Sequence, residues 1–240
     1  MHSAPRLSAA TTKAILFDKD GTLIDFEKSW AQINRKAAAL AAGGDVGLEE
    51  RILEACGVDP ATGRTVADTL FAAGNAQEIA ARMIEEGSPF EKEALAGRLD
   101  ALFASGSGAA VPIVDIRALF SKLKALGLLL GIASSDSERA VRMTAEVLGV
   151  GEHVDFCAGW DSGYGPKPEP GMVRGFCQAV GIEPEAAAMI GDSRHDLEMG
   201  RAAGAGCVIG VLSGTGTVGT LSPLADAVIE SVDVLPGLFA

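Results

Sequence analysis

The sequence predicts a doubly wound, parallel α/β sheet with an all-helical insert after its first strand, on three observations. Short continuous apolar runs stop at polar residues, the pattern of strands buried on both faces. Segments of helical period alternate with those runs. Residues 26–105 break the alternation, because they carry helical periodicity and no convincing strand.

In chain order, the first strand is Ala14-Ile15-Leu16-Phe17, which stops at Asp18. The insert opens with a helix over 27–42 that closes on Gly43-Gly44. Asn75 with Glu78 makes a capping-box start, and Ser88-Pro89-Phe90-Glu91 combines an N-cap, a proline at the first helical position and an acid at the third. Ser105-Gly106-Ser107-Gly108 reads as a flexible return linker. Beyond it, strands are expected at 128–133, 187–190 and 207–211, with weaker candidates at 154–157 and 227–229. Helices are expected at 115–126, 138–148, 171–180 and 196–203, with Gly127, Gly149, Gly181 and Gly204 as stops. The division is a tail at 1–12, a Rossmann-like core at 13–25 and 109–240, and the helical insert at 26–108.

Composition narrows the function classes. The 240 residues, 48% hydrophobic, suffice for one large core or a core plus an insert. Thirty-two acids against 20 bases leave a net charge of -12, which repels phosphate backbones and anionic lipid surfaces and disfavours a basic nucleic-acid footprint. Cys56, Cys157, Cys177 and Cys207 form no C-x-x-C pair, so no zinc knuckle or thioredoxin motif is expected and a reduced compartment fits. The apolar runs are too short and Gly-broken to span a bilayer, and the N-terminus lacks a secretory apolar stretch. A cytoplasmic protein without membrane partners is expected, with residues 1–12 a frayed tail rather than an organelle-targeting remnant.

In open α/β sheets ligands bind beyond the carboxyl ends of the strands, and there the chemistry-bearing residues fall. Asp18-Lys19-Asp20-Gly21-Thr22 follows the first strand, Ser134-Ser135 the second long run, and Gly191-Asp192-Ser193-Arg194-His195-Asp196 a later one; Lys167 lies between Pro166 and Pro168. Asp18 and Asp20, two apart, project to one side of the chain. Mg²⁺ wants hard oxygen ligands while keeping waters, which Asp18, Asp192 and the carbonyl of Asp20 can supply. An ionised Asp18 can attack phosphorus while Asp20 protonates the leaving oxygen and later activates water. Gly21 allows close backbone approach, Ser134 and the next backbone N–H can hold a phosphoryl oxygen, and Lys167 offers a fixed counter-charge. Asp196 can join Asp192 at the metal or simply cap its helix. Taken singly, an acidic turn, a capping serine and a solvated loop lysine explain these positions equally well; their joint order after successive strands does not.

That set, from about Lys13 to Val211, resembles the haloacid dehalogenase-like hydrolases, specifically the phosphatases with a small helical cap, with phosphoglycolate phosphatases the nearest members and Asp25 a further similarity. The resemblance implies phosphoryl transfer to Asp18, with Asp20 as acid then base and Ser134 and Lys167 holding the phosphoryl group near Gly21, Thr22 and Ser135. It also implies Mg²⁺ on Asp18, Asp20 and Asp192, supported by Asp196. Asp20 argues against the family's dehalogenases, which lack that acid. It argues equally against its phosphonoacetaldehyde hydrolases, whose cap lysine Lys28 or Lys36 would have to supply. The expected substrate is a small phosphorylated metabolite, phosphoglycolate-like or a sugar phosphate, handled by a monomer or homodimer. A sugar-phosphate mutase, or a phosphate-binding sensor without turnover, is the alternative. In the insert, Arg64 is a candidate partner for a carboxylate or second phosphate. Trp30 is read as core and Arg35 and Lys36 as solvated; His195 is read as a polar neighbour of the metal loop, and His2 and His153 carry no signal.

Overall fold

A computed structural model describes residues 11–239, so the expected tail lies, apart from Thr11 and Thr12, outside the described residues. The first strand, β1 (Ala14–Asp18), is wholly buried, which is why it can be apolar at successive positions. Among the described residues it joins β2 (Leu129–Ala133), β3 (Phe156–Ala158), β4 (Ala187–Gly191), β5 (Cys207–Val211) and β6 (Ala227–Ile229) in one parallel sheet of order β3-β2-β1-β4-β5-β6. The order reverses at β1, and successive strands are linked by α6 (Ile116–Ala125), α7 (Glu138–Val147), α8 (Gly171–Val180) and α9 (Arg194–Ala203).

Strand alternation sorts the core into two layers. Ile15, Phe17, Leu130, Ile132, Ile190 and Ile209 face α6 and α7, where Phe17 stacks on Phe120 at 5.2 Å between ring centroids. Leu16, Met189 and Val208 pack instead with Phe176 of α8 and Leu197 of α9. Full burial of a ring such as Phe17 contributes about 2–3 kcal/mol. The short helices α10 (Val218–Leu221) and α11 (Leu235–Leu238) close the C-terminal side.

Between β1 and α6 lie α1 (Phe26–Ala42), α2 (Val46–Ala55), α3 (Leu70–Ala73), α4 (Ala76–Glu85) and α5 (Lys92–Ser107), around an apolar cluster of their own that includes Ala38, Ile52, Met83, Leu95 and Leu99. Asp25 caps α1 through Lys28 N, Gly43 ends it at φ 60°, and Asn75 and Glu78 form the expected capping box on α4. Two local expectations are corrected. Helix α5 starts at Lys92 behind Glu91, which makes no side-chain cap; Ser88 instead donates to Ala41 O at 2.7 Å, satisfying a last-turn carbonyl of α1. Residues 105–107 are the last turn of α5 rather than a linker, held where Gly106 lies so close to Ile33 that a Cβ would come within 3.0 Å of its side chain.

The two crossings that join the insert to the sheet are bonded to each other. Asp25 N donates to Val111 O at 2.8 Å, Ile113 N to Leu23 O at 3.1 Å, and Ile24 and Pro112 form an antiparallel bridge. Among the described residues no helix is long and apolar enough to cross a membrane.

Candidate active site

Parallel register brings the strand ends to one rim: Asp18 pairs with Ala133 of β2, and Phe17 with Ile190 of β4. Asp18, Ser134 and Asp192 therefore emerge around the point where strand order reverses, the usual ligand crevice of such sheets. There the carboxylates of Asp18, Asp192 and Asp196 lie within 4.8 Å of one another, all buried. Lys167 Nζ donates to Asp18 Oδ1 and to Asp196 Oδ1, each at 2.6 Å. Asp196 caps its helix, as one of its two expected roles has it: its Oδ2 accepts from Ser193 N at 3.1 Å and Ser193 Oγ at 2.7 Å in a capping box on α9, while its Oδ1 faces Lys167. Asp192 Oδ2 accepts from Thr215 N at 2.7 Å. A Cβ on Gly21 or Gly214 would come within 2.5 or 2.0 Å of that oxygen, so the backbone closes on it from both sides, and Gly21 also holds φ 82°.

Burial raises the Asp18 carboxyl well above its ordinary range, and the Asp196 charge adds to this against the lowering effect of Lys167. Burial, then Asp196, pushes Asp192 up to about 7. Desolvation works to lower Lys167, but the carboxylates of Asp18 and Asp196 outweigh it and hold the ammonium charged. Three carboxylates thus share one ammonium, and Asp18 Oδ2 is buried without a hydrogen-bond partner. Uncompensated carboxylates of this kind are costly, and a set made wholly of hard oxygen donors fits Mg²⁺.

The Asp20 side chain stands apart from that trio. Its Oδ1 accepts from Lys19 Nζ at 2.8 Å and from the Trp30 indole N–H, and its Oδ2 from Ser134 Oγ at 3.3 Å. Both its oxygens are thus engaged by donors of this chain. Ser134 Oγ also accepts from Asp136 N at 3.1 Å. Ser135 and His195 line the cleft of about 280 Å³ with Asp18, Asp20, Lys167 and Asp192. Thr22 is fully buried and does not line it. Arg64 lies elsewhere: exposed, 4.0 Å from Glu27, it lines a separate cavity with Ser213 and Thr215.

Sequence reasoning passed over four participants. Lys19 is completely buried between Asp20 and Asp136, 2.8 Å from each, with Trp30 above it. Asp136, two residues past Ser134, and Thr215, in the Gly-rich stretch after β5, both obey the strand-end rule that found the others. Trp30 is core, as expected, buried and edge-on to Phe103, but its contact with Asp20 is made only in the folded chain and was not foreseen.

Residues 12–204 match the model of a family described as haloacid dehalogenase-like hydrolase. A phosphoglycolate phosphatase of Chromobacterium violaceum is 36% identical over 110 residues, spanning 46% of this chain and 48% of that protein. One from Rhodospirillum rubrum is 29% identical over 202 residues, 82% of this chain and 78% of the relative. The fold matches the crystal structure of a predicted phosphoglycolate phosphatase from Haemophilus somnus 129PT, with a TM-score of 0.75 at 17% identity over 96% of this chain and 99% of that one.

Proposed function

This chain belongs to the haloacid dehalogenase-like hydrolase family, and from that premise we propose that it is a Mg²⁺-dependent phosphatase, hydrolysing the phosphate monoester of a small metabolite through an aspartyl-phosphate. The observation that carries the reading is the buried, unpartnered Oδ2 of Asp18 beside Lys167 at the sheet rim.

Asp18, Asp192 and Asp196, with the carbonyl of Asp20, would hold Mg²⁺. When bound, the ion supplies positive charge that keeps the carboxylates ionised and neutralises phosphoryl oxygens. The rest belongs to the chain. Lys167 draws the phosphoryl group toward Asp18, and the hydroxyl of Ser134 with the N–H of Ser135 adds donors without adding charge. Asp18 Oδ2 forms the new O–P bond as the ester P–O bond breaks, and the alcohol oxygen takes a proton from Asp20. Asp20 then removes a proton from water as that water attacks phosphorus, releasing phosphate and restoring Asp18. Lys19 and Trp30 fix the carboxyl that performs both transfers.

Asp18→Asn keeps the shape but removes the nucleophile, and phosphate release should fall by about 10⁴-fold or more with an unchanged circular dichroism spectrum. Release at the wild-type rate would exclude the covalent route. EDTA should abolish turnover and added Mg²⁺ restore it.

A further inference from the structure

Beside the reactive cleft, a second one of about 370 Å³ opens between the sheet rim and the helical insert. The two share Asp20, Ser135 and Ala72. This second space therefore adjoins the place where the alcohol half of an ester would lie with its phosphoryl group against Asp18. Its insert wall is aromatic, formed by Phe26, Trp30, Phe71 and Phe103, none more than 7% exposed, with Asn34 as a polar side chain among them.

No Lys, Arg or His stands among the described residues that line it. The ammonium of Lys19 is bonded at 2.8 Å to both Asp20 and Asp136 and lies 4.8 Å from the centre of the Trp30 ring. The lysine is engaged by two carboxylates and is not free to pair with a substrate anion, while an organic cation would have to share those carboxylates and the ring face with it. Arg64, the cation expected to meet a substrate carboxylate, lines another cavity.

Resting on the phosphatase reading above, we infer that the alcohol half of the substrate is uncharged and presents an apolar or aromatic face, in contrast to a carboxylate such as glycolate, a second phosphate or an amine. A carboxylate set against these rings loses its hydration and gains no partner. An apolar face has no such hydration to lose and meets the edges that these rings leave exposed.

The test compares kcat/KM of the Mg²⁺-loaded enzyme for three alkyl esters, phenethyl phosphate, phosphoglycolate and phosphoethanolamine, so that leaving-group chemistry is similar throughout. Phenethyl phosphate should exceed each charged ester by about tenfold or more. A smaller margin, or preference for either charged ester, overturns the inference and leaves the phosphatase reading standing. In Ala72→Lys, which adds an ammonium to the shared wall, the ratio of phosphoglycolate to phenethyl phosphate should rise by about tenfold or more; an unchanged ratio counts against the inference. Release from none of the three, in an enzyme that binds Mg²⁺, overturns the phosphatase reading and this inference with it.

Discussion

Asp20 is held by donors from three parts of the chain: Lys19 beside it, Trp30 on α1, and Ser134 after β2. Trp30→Phe removes the indole N–H and shrinks the ring, while keeping an aromatic face edge-on to Phe103, which the indole meets at 5.8 Å. We expect kcat to fall about tenfold on an alkyl ester and less on an aryl ester, whose leaving oxygen needs the proton less. Equal losses on the two would show that Trp30 only packs. This residue also marks a limit of sequence reading. Asp18, Lys167, Asp192 and Asp196 were legible because each sits at or after a strand end, or in a Pro-bounded loop, with a chemistry that suits phosphate. Lys19 was not, since a lysine between two aspartates looks solvated on paper; only the fold shows it fully buried with two acids around it. Arg64 illustrates the converse, a plausible anion partner that the fold turns toward Glu27.

The helices and strands themselves were readable to within a few residues, because apolar runs and glycine stops are local signals. The errors fell where a tertiary contact outweighed a local one, as with Ser88, whose hydroxyl serves the end of α1 rather than the start of α5. The capping box on α4 is a local signal that held, with Asn75 Oδ1 accepting from Gln77 N and Glu78 N at 3.0 Å each. Asn75→Ala should cost about 1 kcal/mol in chemical denaturation. In β2, Gly131 leaves no room for a side chain: a Cβ would stand 2.9 Å from both Leu16 and the Phe176 ring. Gly131→Ala should destabilise by about 1–3 kcal/mol, and a loss no larger than that of an exposed helix substitution would show that this layer repacks freely.

For the molecule as a whole, the acidic cluster ties stability to pH. Asp192 is raised from 3.8 to about 7, and Asp18 shifts the same way. Such a carboxyl holds its proton more tightly folded than unfolded, so its contribution to stability is whole below about pH 3.8 and is lost as pH rises through about 7. In EDTA, this contribution should lower Tm between about pH 5 and about pH 8, and Mg²⁺ should raise Tm more at the upper end of that range. A Mg²⁺ effect independent of pH would separate the cluster from the ion. The two bonded crossings, Asp25 to Val111 and Leu23 to Ile113, bear on how such a cleft admits anything at all. Both covalent links between sheet and insert run through this one bonded place, outside the named strands, so a rearrangement of the insert over the cleft would have to bend or break these same bonds.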